Sequence, residues 1–156
     1  MITVFLTRVS NTHHTFSYRR PDGRGETLTL ETKSFLFHDL LHYAVESEAN
    51  LRDSFFARLA RSQSYDALTG PDGSYDGEIG MTEKVVGGLT GYMKTEQPPE
   101  VFLAGIRNWS EASGDTVPAW LTRDFVVNVK ERMRRLQGEW KALPFGATMT
   151  LTFPPN

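Results

Sequence analysis

The sequence contains no cysteine, and this absence excludes several kinds of chemistry. None of its 156 residues is Cys, so disulfides, a thiol nucleophile and cysteine-ligated zinc or iron–sulfur centres are excluded. Nor does it contain an apolar run of about 18 residues, the length that a membrane span requires. Glycine-rich phosphate loops, a G-x-S-x-G nucleophile elbow and a dinucleotide-binding fingerprint are also absent.

Charge is nearly balanced, and the composition is that of an ordinary globular protein. The net charge is −2, with 39% apolar and 23% charged residues, which predicts a single domain over residues 1–156. We expect no nucleic acid and no membrane as partner. The chain starts with strand-like sequence and not with a basic segment before an apolar one, so a cytoplasmic location is expected. Aromatic residues make up 12%, and an exposed apolar patch would favour a homodimer.

Alternating apolar and polar residues at both ends of the chain predict strands. Residues 2–9, 16–19 and 27–31 alternate, with turn-forming residues at 21–25, and residues 148–153 alternate strictly. Between them lie about five segments with apolar residues at helical spacing. Asn50 and Asp53 are the expected caps at the start of the second helix, and residues 62–76 are expected to form a loop. The prediction is an α+β fold: an antiparallel sheet of about four strands, three N-terminal and one C-terminal, packed on one face by helices.

The helix predicted at residues 34–50 carries the most suggestive side chains. Ser34 is the expected N-cap, and the centre of the apolar face is formed by Phe37, Leu41 and Val45. At about 100° per residue, His38 and His42 then lie at the edge of that face, between core and water.

The run His38-Asp39-Leu-Leu-His42 resembles the H-E-x-x-H signature of the zincin metalloproteases. The resemblance implies that His38 and His42 bind zinc and that Asp39 is the general base, although Asp39 is one methylene shorter than glutamate. Glu46 is roughly 12 Å along the helix axis from His38, too far to share one ion with it. A third ligand would therefore come from elsewhere, the candidates being His13, His14, Glu78 and Glu83.

The sequence favours a structural interpretation of the same helix over the metal-binding one. The two histidines would pack at the rim of the core, and Asp39 or Glu46 would hydrogen-bond His42 along the helix. The longer pattern F-L-x-H-D-L-x-H-Y-x-V-E-S-E also resembles one found in small uncharacterised bacterial proteins. That resemblance implies a bacterial origin and a shared fold, but no activity.

A second motif, at residues 72–83, resembles an EF-hand calcium loop. Asp72, Ser74 and Asp76 occupy its first, third and fifth positions, a glycine the sixth, and Glu83 the twelfth. Gly-Pro precedes the loop, so no entering helix is expected. The alternative is a polar turn whose acidic residues cap the next helix.

The last predicted helix is rich in basic residues: Arg123, Lys130, Arg132, Arg134, Arg135 and Lys141. Such a stripe could meet a phosphate or an acidic partner, but the overall negative charge favours a solvated helix surface.

Three functions follow from these patterns. The first is a non-enzymatic ligand-binding or protein-interaction domain whose small-molecule ligand the sequence does not identify. The second is a metal-dependent hydrolase that uses His38, His42 and Asp39. The third is a domain stabilised by calcium at residues 72–83. The cofactor, if there is one, is a divalent metal, zinc or calcium.

Overall fold

A computed structural model describes residues 1–70 and 76–155. Its elements in chain order are β1 (Ile2–Arg8), β2 (His13–Arg19), β3 (Gly25–Glu31), α1 (Thr32–Glu48), α2 (Phe55–Arg61), α3 (Tyr65–Thr69), α4 (Glu78–Tyr92), α5 (Pro99–Ser113), α6 (Arg123–Ala142) and β4 (Thr148–Phe153). The predicted α+β class is confirmed, with six helices in the described part of the chain. No helix there is long and apolar enough to cross a membrane.

The four strands form one antiparallel sheet in the order β3-β2-β1-β4. Val4 pairs with Tyr18 on one side and with Leu151 on the other, so the two ends of the chain meet in the sheet. The β2–β3 turn includes Gly23 at φ +86°, a left-handed conformation that glycine adopts without steric cost. Three N-terminal strands and one C-terminal strand are therefore present as predicted.

Alternate residues of the sheet point into one hydrophobic core. On β1 these are Ile2, Val4 and Leu6, all buried, while the intervening residues are partly exposed. Helix α1 lies between the sheet and the outer helices α4 and α6, and α2 packs against β1 and β4. The Tyr43 hydroxyl donates a hydrogen bond to the Thr152 carbonyl over 3.1 Å, which links α1 to β4.

Helix α1 is more completely buried than the sequence predicts, because it occupies a central position in the fold. All residues from Asp39 to Glu46 are buried, polar ones included. A helix with one apolar face was expected, but α1 is covered on several sides. The helix also begins three residues earlier than predicted, with Glu31 and not Ser34 at the N-cap position, because β3 leads directly into it.

Two other local predictions need correction. Residues 62–76 were expected to be a loop, yet α3 lies within them and begins at Ser64, whose side chain accepts a hydrogen bond from the Ala67 amide. A five-residue helix is too short to produce a helical apolar repeat. Helix α2 begins after Ser54, and not at residues 50–53, because the amide of Phe56 is bound by a buried glutamate of α1.

Candidate metal centre

Helix α1 presents His38 and His42 one turn apart, and α4 brings Glu83 against both. The imidazole centroids are 4.6 Å apart. Nε2 of His42 lies 3.0 Å from one Glu83 oxygen, and Nε2 of His38 lies 3.6 Å from the other. One ligand atom from each residue falls within 4.8 Å of the other two. In a tetrahedral zinc site with bonds of 2.0–2.2 Å, neighbouring ligand atoms are about 3.3 Å apart, so the cluster is close to ligand spacing.

The contact between His42 and Glu83 is close without being a hydrogen bond. Among residues 1–70 and 76–155, no partner meets hydrogen-bond geometry at Nε2 of His42, although the Glu83 oxygen is at 3.0 Å. The oxygen therefore lies off the N–H direction. A buried ring nitrogen without a hydrogen-bond partner is uncommon in folded proteins.

Each imidazole has a carboxylate at its other ring nitrogen. Nδ1–H of His42 donates to Glu46 Oε2 over 2.9 Å. Nδ1 of His38 lies 3.7 Å from Asp39 Oδ1. A carboxylate at Nδ1 fixes the ring orientation and leaves Nε2 as the metal-binding atom, the usual arrangement around histidine ligands. In both rings Nε2 is the atom that faces Glu83.

These two carboxylates are themselves held by the fold. The second oxygen of Glu46 accepts the backbone N–H of Phe56 over 2.9 Å. The second oxygen of Asp39 accepts the hydroxyl of Tyr65 over 3.0 Å. Helices α2 and α3 therefore fix the groups that orient the histidines.

The cluster is buried at one end and open at the other. His42 is 1% exposed, Glu83 30% and His38 46%, while Glu46 is fully buried. Solvent therefore reaches the cluster from the His38 side. The predicted boundary position is correct for His38, whereas His42 lies deeper because α4 covers it.

Charge in the cluster is balanced by protons when no metal is bound. The neighbouring carboxylates of Asp39 and Glu83 raise the pKa of His38 to about 9. Burial opposes charge on His42, but Glu46 and Glu83 override it and raise the pKa to about 10. Burial also opposes charge on Glu83, but the two histidines lower its pKa to about 2. Burial raises the pKa of Glu46, so this carboxyl and His42 hold one proton between them.

The other residues named from the sequence lie elsewhere. His13 is exposed on β2, and His14 is buried against Thr32 and Trp140. Glu78 accepts the backbone N–H of Asp53. Of the calcium motif, Asp72 and Ser74 lie outside the described residues, Asp76 is exposed, and Glu83 contacts the histidines. The calcium motif marked Glu83 as a ligand, but nothing in the sequence linked it to the two histidines ahead of His13, His14 or Glu78.

In the comparisons with known proteins, no family model, no curated protein and no solved structure matches this chain.

Proposed function

We propose that the protein binds one divalent transition-metal ion through Nε2 of His38, Nε2 of His42 and the Glu83 carboxylate. The observation that carries this proposal is the convergence of the three groups while a carboxylate lies at Nδ1 of each ring. Two histidines with a purely structural role would not need an acidic residue from another helix, which Glu83 supplies. Nor would they need the two buried carboxylates of Asp39 and Glu46 at their Nδ1 atoms.

The ligand set favours a transition metal over calcium. Two imidazole nitrogens with one carboxylate suit zinc, iron, nickel or copper, whereas calcium takes six to eight oxygen ligands. Glu83 would have to leave both histidines to close a calcium loop at residues 72–83. We therefore place calcium second to a transition metal at this position.

The open side of the cluster supports hydrolytic chemistry. A site with three protein ligands has a fourth position for water, and a zinc-bound water has a pKa near 7. The exposed ring of His38 marks the side from which a substrate would approach. In this proposal the nucleophile is the metal-bound water.

Asp39 has a different place from the one that the zincin resemblance implies. Its carboxylate is 4% exposed and lies beside Nδ1 of His38, on the opposite side of the ring from Glu83. From there it orients the ligand. The geometry therefore favours Asp39 as a positioning residue over Asp39 as the general base.

Metal binding is tested on full-length protein that carries no histidine tag. Metal content is measured after purification, and Zn²⁺ and Co²⁺ are titrated into chelator-treated protein. We expect one ion per chain and an affinity at least about 100-fold weaker in Glu83→Gln, since one of three ligands is lost. Glu111→Gln, an exposed substitution on α5, is the control. Equal affinity of Glu83→Gln and the wild type would exclude the site.

Hydrolysis is tested separately from binding. Activated carboxylic and phosphate esters of p-nitrophenol are offered to the zinc-loaded and the chelator-treated protein. Turnover that requires zinc and is lost in His38→Ala supports the hydrolase. A loaded protein without turnover would leave the metal site standing and remove the hydrolytic part of the proposal.

A groove between α4 and α5 supports a second function, the binding of an apolar ligand. It has a volume of about 450 Å³ and is lined by Gly87, Gly88, Phe102, Ile106 and Trp109, among others. A Cβ added at Gly105, which also lines it, meets nothing within 4 Å. Gly105→Leu would therefore place an apolar side chain in the groove from an unobstructed Cβ, and it should abolish binding of an apolar fluorescent dye there. Unchanged dye binding would exclude this groove.

A further inference from the structure

A second candidate binding region runs along the seam between α1 and α6, apart from the histidine cluster. It consists of two hollows of about 350 and 230 Å³. Phe37 and Gln137 line both of them, so the hollows adjoin. The larger hollow alone falls within the range of about 300–1,000 Å³ that is usual for small-molecule sites.

The walls of this seam cleft are largely apolar. They include Leu36, Phe37, Leu40, Met93, Met133 and Trp140. Met133 is 2% exposed, so the cleft reaches down to the core. An apolar group placed here would be removed from water, which favours binding by roughly 25 cal/mol per Å² of buried apolar surface.

The rim of the seam cleft is cationic. Lys94, Lys130 and Arg134 line one hollow, where Arg134 is paired with Glu131 of the same helix, and Lys33 and Lys141 line the other. Within the described part of the chain, no aspartate or glutamate lines either hollow. Five cations on one cleft contrast with the net charge of −2 for the whole chain. The local field therefore attracts anions that the protein as a whole does not.

A buried histidine stands behind the second hollow. His14 is fully buried, with Nδ1 3.0 Å from the Thr32 hydroxyl and its ring edge-on to Trp140. Thr32 and Trp140 both line the cleft. Nε2 of His14 has no hydrogen-bond partner among residues 1–70 and 76–155. A buried polar atom left in this way is uncommon in folded proteins, and its neighbours place it next to the cleft.

We propose that the seam cleft binds a small organic anion with an apolar body, such as a medium-chain carboxylate or alkyl phosphate. The apolar walls take the chain, and the lysines take the charged head. Inorganic phosphate would leave the walls unused. Single-stranded nucleic acid would need a row of exposed aromatic faces along the basic groove, and Trp140 is buried.

The first test compares four probes by calorimetry: decanoate, decyl phosphate, decanol and inorganic phosphate, all below micelle-forming concentrations. We expect the two amphipathic anions to bind at least about tenfold more tightly than either single-feature probe, because both charge and apolar contact contribute. Added salt should weaken their binding. Equal binding of all four, or binding of none, would refute the proposal.

The second test uses substitutions at the cleft. Gln137→Trp places a large ring where the hollows meet, and it should abolish decanoate binding. Lys94→Gln combined with Lys130→Gln should weaken it about three- to tenfold, the effect of two charges at the rim of the cleft. Arg135→Gln, exposed and outside the cleft, is the matched control. An equal loss of decanoate affinity in Arg135→Gln would show that the overall charge of the protein, and not the cleft, controls binding.

Both tests are performed on folded, chelator-treated protein, with thermal melts to verify each variant. Binding by the metal-free protein is expected, because no residue of the histidine cluster lines the seam cleft. The result is therefore independent of the metal centre. If Gln137→Trp has a clearly lowered Tm, the double charge variant and its Arg135→Gln control still test whether the seam cleft binds the anion.

Discussion

Glu46 accepts a hydrogen bond from Nδ1 of His42 over 2.9 Å, and both side chains are almost completely buried. The bond joins residues one helical turn apart on α1 and holds the imidazole so that Nε2 meets Glu83. A buried carboxylate is costly unless it is paired. The Glu46 carboxylate is paired with the His42 imidazole, and this pairing fixes the orientation of the ring.

Glu46→Gln should weaken zinc binding by about 10- to 100-fold, the usual effect of losing a carboxylate behind a histidine ligand. The glutamine amide can donate to Nδ1, which favours the tautomer with its proton on Nε2. Isothermal titration measures the change. Glu48→Gln, two residues along the same helix and bound to Asn128 and Arg132, is the control. Comparable affinity in the two variants would contradict the orienting role.

Zinc affinity should rise steeply with pH. With the pKa of His38 raised to about 9 and that of His42 to about 10, a metal ion must displace a proton from each ring at neutral pH. The apparent association constant should then increase by up to about 100-fold per pH unit, tenfold for each proton. Competition against a chromophoric chelator at several pH values gives the slope. A flat profile would mean that the rings are not the ligands.

Stability of the metal-free protein should depend on pH in two opposite ways. The pKa values of His38 and His42 are raised by folding, so their contribution is complete below 6.5 and is lost as pH rises through about 9 and 10. The pKa of Glu83 is lowered to about 2, so its contribution is complete above 4.5 and is lost as pH falls below that. The Tm difference between wild type and Glu83→Gln should be largest between these limits. A difference that is constant over the whole range would refute the ion-pair network.

Tyr65→Phe should reduce both stability and metal affinity. It removes the hydrogen bond to the buried Asp39 carboxylate, at a cost of about 1–3 kcal/mol in the free energy of unfolding. It also loosens the group that orients His38. Tyr92→Phe, which loses a bond to the Gln97 carbonyl far from the histidines, should lower stability alone. Denaturant melts and zinc titrations of both variants separate the two effects.

The two adjacent glycines of α4 should respond differently to alanine. A Cβ at Gly87 meets nothing within 4 Å, whereas one at Gly88 lies 3.1 Å from the Phe102 ring. Gly87→Ala should therefore stabilise the protein by about 0.5–1 kcal/mol through helix propensity. Gly88→Ala should gain less or lose stability, because Phe102 must move. Urea unfolding measures both, and an equal gain would show that α5 does not pack closely at Gly88.

Much of the fold could be predicted from the sequence. The strands were identified because each has one buried face, which alternation records directly. The pair His38 and His42 was placed correctly on one helix because apolar residues recur there at helical spacing. Helix α3 was missed because five residues cannot show a period.

The candidate site was harder to predict because its parts are distant in the sequence. Glu83 lies on α4, and its approach to α1 depends on how two helices pack, which no local pattern encodes. It could be named only as one of four possible third ligands. The burial of Asp39 was missed because a helical wheel assumes one covered face, and α1 is enclosed by the sheet, α4 and α6.

The Glu46 carboxylate serves two separate elements with its two oxygens, since one binds the ring of His42 and the other the Phe56 amide at the start of α2. Helix α2 and the histidine cluster are therefore thermodynamically linked through a single side chain. Substitutions in the first turn of α2 and at the ligands should be non-additive in double-mutant cycles. Any redesign of the proposed metal site that alters Glu46 would therefore also disturb the beginning of α2.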